Sequence, residues 1–195
     1  MNGHAVETVN HLTNQGVDAA NKTASETTTH DLDASLLKIT KTTTLRAVPE
    51  QNSAEVWASK SCTDHMVTVT WTSDYGWHAP EIKPYGPISM MPTASCLHYA
   101  TQCFEGMKVY RGYDGKLRLF RPDRNCARLV MSSTRVALPA FDPLELEKLI
   151  KALMKLDGER GLSPVSKRNC FLTFSRLVAQ VSAWKLPLSS SSHHW

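Results

Sequence analysis

The stretch Met107-Lys108-Val109-Tyr110-Arg111-Gly112-Tyr113-Asp114-Gly115-Lys116-Leu117-Arg118-Leu119-Phe120-Arg121-Pro122-Asp123 decides the fold class. Two short runs, 107–111 and 117–121, alternate in the manner of strands and flank Gly112-Tyr113-Asp114-Gly115. The Asp-Gly step is a strong hairpin signal, because such residues tolerate the positive φ that a tight turn needs. Pro122 then stands where the first residue of a helix is favoured, with Asp123 beside it to complement the helix dipole. The helix is expected to run to about residue 133, with Cys126, Leu129 and Val130 on one face. A hairpin that feeds straight into an amphipathic helix predicts an α+β fold.

Working outward, a second helix is marked by Asp142 as N-cap, Pro143 at the first helical position and Glu145 three residues on, a capping-box pattern. Leu146, Leu149, Ile150 and Leu153 recur at helical spacing and predict its buried face. Upstream, Met66-Val67-Thr68-Val69-Thr70-Trp71-Thr72 alternates apolar and polar residues and predicts a half-buried strand. Residues 74–92, rich in Gly and Pro, read as a loop with turns, and 170–174 as one more strand. Residues 178–186 read as weakly helical, before an end of four serines, two histidines and Trp195.

Composition sets the limits. The chain has 195 residues, with 42% hydrophobic and 21% charged residues, which excludes collagen, coiled coil and wholesale disorder. The first 56 residues lack Phe, Trp and Tyr, and residues 1–56 are expected to be mostly disordered. Residues 1–30 hold one lysine, no arginine and three acids, which does not suit a mitochondrial presequence, so the cytoplasm is expected. No run of eighteen apolar residues occurs, and no membrane role is expected. The domain plan is therefore 1–56 disordered, 57–175 folded and 176–195 a low-complexity tail. The formal charge is +4, and residues 105–176 carry 15 Lys and Arg against 8 Asp and Glu. Without interleaved aromatics or a zinc-finger pattern, this reads as a solvated basic face and predicts no nucleic-acid partner. Five cysteines without a CxxC pair predict neither a disulfide framework nor a structural zinc. Cys96, His98 and Cys103 lie close in sequence but match no common zinc spacing, so no metal is expected.

The segment Leu97-His98-Tyr99-Ala100-Thr101-Gln102-Cys103-Phe104-Glu105-Gly106-Met107-Lys108-Val109-Tyr110-Arg111-Gly112 is highly specific. Thr63-Asp64-His65-Met66 precedes it. Leu119-Phe120-Arg121-Pro122-Asp123-Arg124-Asn125 follows, and further matches run to Leu156-Asp157. Together these resemble the branched-chain amino acid aminotransferases, the class IV, fold-type IV group of pyridoxal-phosphate enzymes. The resemblance covers about residues 63–160, the N-terminal small domain, and implies that the family's large domain is missing from this chain.

The resemblance implies roles at matching positions. Arg128 corresponds to the family's ligand for the phosphate of pyridoxal 5'-phosphate, a task suited to a planar, permanently charged fork. Tyr99 and Phe104 correspond to residues lining the pocket for an aliphatic side chain, and are also expected to be core aromatics. The implied activity moves an amino group between a branched or aliphatic amino acid and 2-oxoglutarate, in primary or specialised metabolism. The family's homodimers make a like chain or a full-length homologue the expected protein partner. The departures matter equally. Where the family has a Tyr-x-Arg-Pro strand, this chain reads Asn169-Cys170-Phe171-Leu172-Thr173-Phe174-Ser175-Arg176. The family's Schiff-base lysine lies beyond the matching stretch, so no catalytic residue is assigned and the chain alone is expected not to turn over. Lys108 follows the Glu-Gly step, where the family's lysine is not catalytic, while Lys148, Lys151 and Lys155 fall on a solvated helix face. The alternative reading is a catalytically dead small domain that docks onto a full-length homologue.

Overall fold

The computed structural model describes residues 29–48, 54 and 62–158, together with the backbone of 167–175 and 178–184. Eight described strands are β1 (Lys38–Ile39), β2 (His65–Thr72), β3 (Gly76–Trp77), β4 (Glu81–Pro84), β5 (Gln102–Arg111), β6 (Leu117–Leu119), β7 (Lys167–Ser175) and β8 (Val178–Trp184). The described α-helices are α1 (Ser95–Tyr99), α2 (Pro122–Arg135) and α3 (Pro143–Asp157). The strands form one sheet in the order β1-β4-β2-β8-β7-β5-β6, with β3 paired to β2. Of the described strand pairs, only β1–β4 is parallel. α2 packs on β5 and α3 on β2. The architecture is α+β, as the hairpin and the two helices predict.

The hairpin forms for the expected reason. Gly115 adopts φ +75 at the turn, and the Gly112 N–H donates to the Lys116 carbonyl at 3.0 Å. Arg118 grips the Asp114 carboxylate with two bonds of 2.8 and 2.7 Å. β6 ends two residues earlier than the alternation suggests, because Arg121 turns into the left-handed region (φ 49) to start α2. In α3 the Asp142 carboxylate accepts from the Leu144 N–H at 2.8 Å, as a cap should. Glu145, the other half of the predicted box, instead accepts from the Ala34 N–H at 2.8 Å.

That bond fastens an N-terminal strap, which corrects the expectation of disorder for part of residues 1–56. Leu32 is buried in the core, and a 3-10 turn (Ala34–Leu36) leads into β1. The Lys38 and Thr40 N–H groups donate to the carbonyls of Pro80 and Ile82 at 2.9 and 2.8 Å. Backbone pairing along a sheet edge orders a segment too poor in apolar residues to order itself. Residues 1–28, 49–53, 55 and 56 of that expectation lie outside the described residues. Three further expectations are corrected. The loop at 74–92 contains β3 and β4. β2 is buried on both faces from His65 to Val69 rather than half-buried. Of the stretch 178–186 expected to be weakly helical, Val178–Trp184 is β8, placed between β2 and β7, whose ladders on both sides outweigh local propensity. The expected tail from 176 therefore contains a strand of the central sheet, and its last part, 185–195, lies outside the described residues.

One core joins sheet and helices. Val67, Val69, Ile82, Met107 and Val109 meet Cys126 and Leu129 of α2 and Leu146, Leu149, Ile150 and Leu153 of α3. Each fully buried aliphatic chain contributes about 1.5–3 kcal/mol relative to exposure. A polar clamp closes the far end of α3. The Asp157 carboxylate accepts from the His65 backbone N–H at 2.9 Å and from the Nδ1 of its ring at 2.6 Å. His65 Nε2 accepts from the Thr42 N–H at 2.9 Å, which assigns the ring proton to Nδ1. Two motifs far apart in the chain, Thr63-Asp64-His65-Met66 and Leu156-Asp157, thus meet in one buried contact.

Candidate anion site

β6 pairs with Val109–Arg111, and among the described strands none pairs with the preceding residues of β5 on that side. α2 crosses this open edge. Asn125, buried on α2, donates through Nδ2 to the Gly106 carbonyl at 2.8 Å and to Glu105 Oε1 at 3.1 Å, pinning the helix to the strand. Beside this pin an open cavity of about 480 Å³ is lined by Gly106, Lys108, Arg121, Arg124, Asn125 and Arg128 among others. Four cations thus face one concavity. Arg121, Arg124 and Arg128 share a helix face by their spacing of three and four residues.

Arg128 has a defined orientation. Its Nε donates to Glu105 Oε2 at 2.8 Å and its Nη2 to Glu105 Oε1 at 3.0 Å. Glu105 therefore occupies the side edge of the guanidinium and leaves the end edge, Nη1 with the second hydrogen of Nη2, for another acceptor. Burial by itself would raise the Glu105 carboxyl. Hydrogen bonds from Arg128, the Gly106 N–H and Asn125, with the Arg128 charge, outweigh it and hold the carboxyl below the ordinary glutamate range. The Arg128 guanidinium is raised in turn, first by its hydrogen bond to Glu105 and then by that charge. Both groups are ionised near neutrality, and a phosphate approaching the end edge meets a charged, pre-aimed fork.

Of the residues nominated from sequence, Arg128 lies in this cavity. Tyr99 and Phe104 do not. They are 79% and 74% exposed, so the expectation that they are core aromatics is corrected. Tyr99 closes the short helix α1 and has the His98 ring 6.5 Å away. Phe104 neighbours Glu105 on β5, and the alternation of a strand puts it on the sheet face opposite Glu105 and Arg128. Lys108 lines the cavity, while Lys148 and Lys151 pair with Glu145 and Glu147 on α3. Cys96 is buried, Cys103 is half-buried, and His98 Nε2 sits 2.6 Å from the Pro92 carbonyl oxygen. Among the described residues no group of three or more His, Cys, Asp or Glu is arranged to hold a metal. No helix among them is long and apolar enough to cross a membrane. Sequence reasoning did not single out Glu105, Asn125 or Arg121. Glu105 and Arg128 are 23 residues apart, and the only local hint was the cluster of arginines at the start of the helix. A larger cavity of about 550 Å³ opens between β6 and α3, with Val109, Leu117, Leu119 and Met154 as its apolar floor. Of the nominated residues, none lines it.

Comparison with known proteins puts a family beside this geometry. The chain is 51% identical over 126 residues to the cytosolic branched-chain-amino-acid aminotransferase of Saccharomyces cerevisiae, covering 65% of this chain and 33% of that protein. Over that span the chain is a homologue of the branched-chain aminotransferases. The cytosolic branched-chain-amino-acid aminotransferase of Mus musculus is 45% identical over 140 residues, covering 72% of this chain and 36% of the relative. The mitochondrial branched-chain-amino-acid aminotransferase of Schizosaccharomyces pombe is 41% identical over 120 residues, with 62% and 28% covered. The chain spans about a third of the length of the curated branched-chain aminotransferases it matches. A solved structure, a T.th. branched-chain amino acid aminotransferase with pyridoxamine 5'-phosphate, aligns with TM-score 0.48 and 18% identity, covering 68% of this chain and 43% of that one. No protein-family model matches the chain.

Proposed function

We propose that residues 63–158 hold the phosphate end of pyridoxal 5'-phosphate, as part of a branched-chain aminotransferase that moves an amino group between a branched or aliphatic amino acid and 2-oxoglutarate. The observation that carries this reading is Arg128, aimed by Glu105 with its end edge free in a cavity lined by four cations. The residues present fit a phosphate dianion: two aligned N–H donors on one fork, further positive charge around them, and the Glu105 carboxylate occupied behind the fork. Bound pyridoxal phosphate supplies the electron sink that amino transfer requires. This chain's part is to bind and orient its phosphate. The described lysines offer no aimed base, so the proton-moving amine is not assigned to them.

Tyr99 and Phe104 are proposed as one apolar wall for an aliphatic side chain, on a face that needs a cover. Their exposure, with that of Leu97, also favours a second reading, in which this face docks on a full-length homologue without the chain itself turning over. That reading predicts a heteromer when the two are mixed. The test of the first reading is equilibrium dialysis of the chain against pyridoxal phosphate and against pyridoxal. The phosphate ester binds more tightly, and Arg128→Ala loses about tenfold or more of that preference, as expected for a charged hydrogen-bonded contact. Equal binding of both compounds, or no effect of Arg128→Ala, refutes the proposed site.

A further inference from the structure

We infer that Arg121 is a second ligand for the phosphate dianion at this site, kept at the expense of backbone strain. The inference rests on the phosphate reading above and extends it to a direct contact not assigned there. Arg121 is the N-cap of α2, yet its side chain makes no capping hydrogen bond and its backbone sits in the left-handed region at φ 49. That conformation suits glycine or asparagine, and N-caps favour small polar residues, so arginine is a poor choice on local grounds. No carboxylate pairs with it among the described residues. Its guanidinium instead lies over the Phe120 ring, 5.3 Å from the centroid. Its neighbours are otherwise employed: Arg118 is paired with Asp114, and Arg128 has its side edge on Glu105. Arg124 has Asp123 3.6 Å away. Arg121 therefore brings an uncompensated charge to the cavity that Arg128 lines, about two helical turns away. A strained position that persists with an ill-suited side chain points to a role for that side chain.

The two roles, structural and ligand-binding, predict opposite results for Arg121→Gly. Glycine relieves the left-handed backbone, so the melting temperature of the full chain holds or rises, while its affinity for pyridoxal phosphate falls about tenfold. Arg121→Gln, which removes the charge and keeps a polar side chain, shows the same weakening, and Arg121→Lys restores part of it. Pyridoxal, lacking the phosphate, binds all these variants as it binds the wild type. Inorganic phosphate as competitor tests whether the anion alone is recognised, and it competes less well in Arg121→Gln. Wild-type affinity for pyridoxal phosphate in Arg121→Gln overturns the inference, whatever the glycine variant does. If Arg128→Ala still weakens binding in that case, the phosphate reading stands without Arg121. If neither arginine affects binding, both fall together.

Discussion

Replacing Asp157 by alanine removes the clamp that ties the end of α3 to β2, and its cost follows from the contacts. The carboxylate accepts two hydrogen bonds, from the His65 N–H at 2.9 Å and from His65 Nδ1 at 2.6 Å, and both residues are buried. Alanine leaves two N–H groups without acceptors where water does not reach. Each orphaned donor costs about 1–3 kcal/mol, so the two together cost about 2–6 kcal/mol. Against the roughly 5–15 kcal/mol that holds a domain together, a loss of about 2–6 kcal/mol is a substantial part of the stability. The assay is urea unfolding followed by tryptophan fluorescence, with the midpoint read at unchanged slope. Asp157→Asn, which keeps one acceptor for the ring N–H but turns an amide toward the backbone N–H, should lie between alanine and wild type. Asp114→Ala serves as a surface control, because the Arg118 pair it breaks is solvent-exposed and contributes little. A midpoint for Asp157→Ala no lower than that of the control would refute the clamp.

Two further outcomes can be checked directly. Glu105 is held below the ordinary glutamate value, so the stability it lends is complete above about pH 4.3 and is lost as the pH falls through its lowered folded value. Urea midpoints of wild type and Glu105→Gln should therefore converge on acidification below that pH; a gap that stays constant as the pH falls from neutral to about 3 contradicts the pairing with Arg128. The Cys126 thiol is pushed up to about 12, first by burial and then by the charges of Glu147, Glu105 and Asp123. In native protein at about pH 8, iodoacetamide should modify the half-buried Cys62 well before Cys126, with the order read by peptide mass; equal rates would show that the core opens there.

What the sequence revealed tracks how local each signal was. α3 was legible because Asp142 and Pro143 mark its start and its buried leucines recur at helical spacing, and all of those leucines are in the core. The hairpin was legible from Asp114-Gly115 alone. β8 was not, because its strand character comes from its ladders: β7 is adjacent in the chain, but β2 is remote, and neither partner shows in its own composition. The strap was missed for a related reason: Leu32 and a few backbone bonds order it, and apolar content gave no warning. Arg128 was legible only through the resemblance of its motif to a family. Its partner Glu105 was quoted within the most specific segment yet carried no sign of its task, because the pair closes only when α2 folds across β5.

The phosphate claim is tested most directly at the atoms that make it. In a chain with nitrogen-15-labelled arginine, the Arg128 Nε–H resonance should be protected in the free protein, because Glu105 holds it, and should disappear from that protected set in Glu105→Gln. Titration with pyridoxal phosphate should shift the Arg128 Nη signals while the Nε–H remains protected, since the two acceptors use different edges. Pyridoxal phosphate that leaves every Arg128 signal unmoved, or that releases Nε–H by displacing Glu105, would contradict the account.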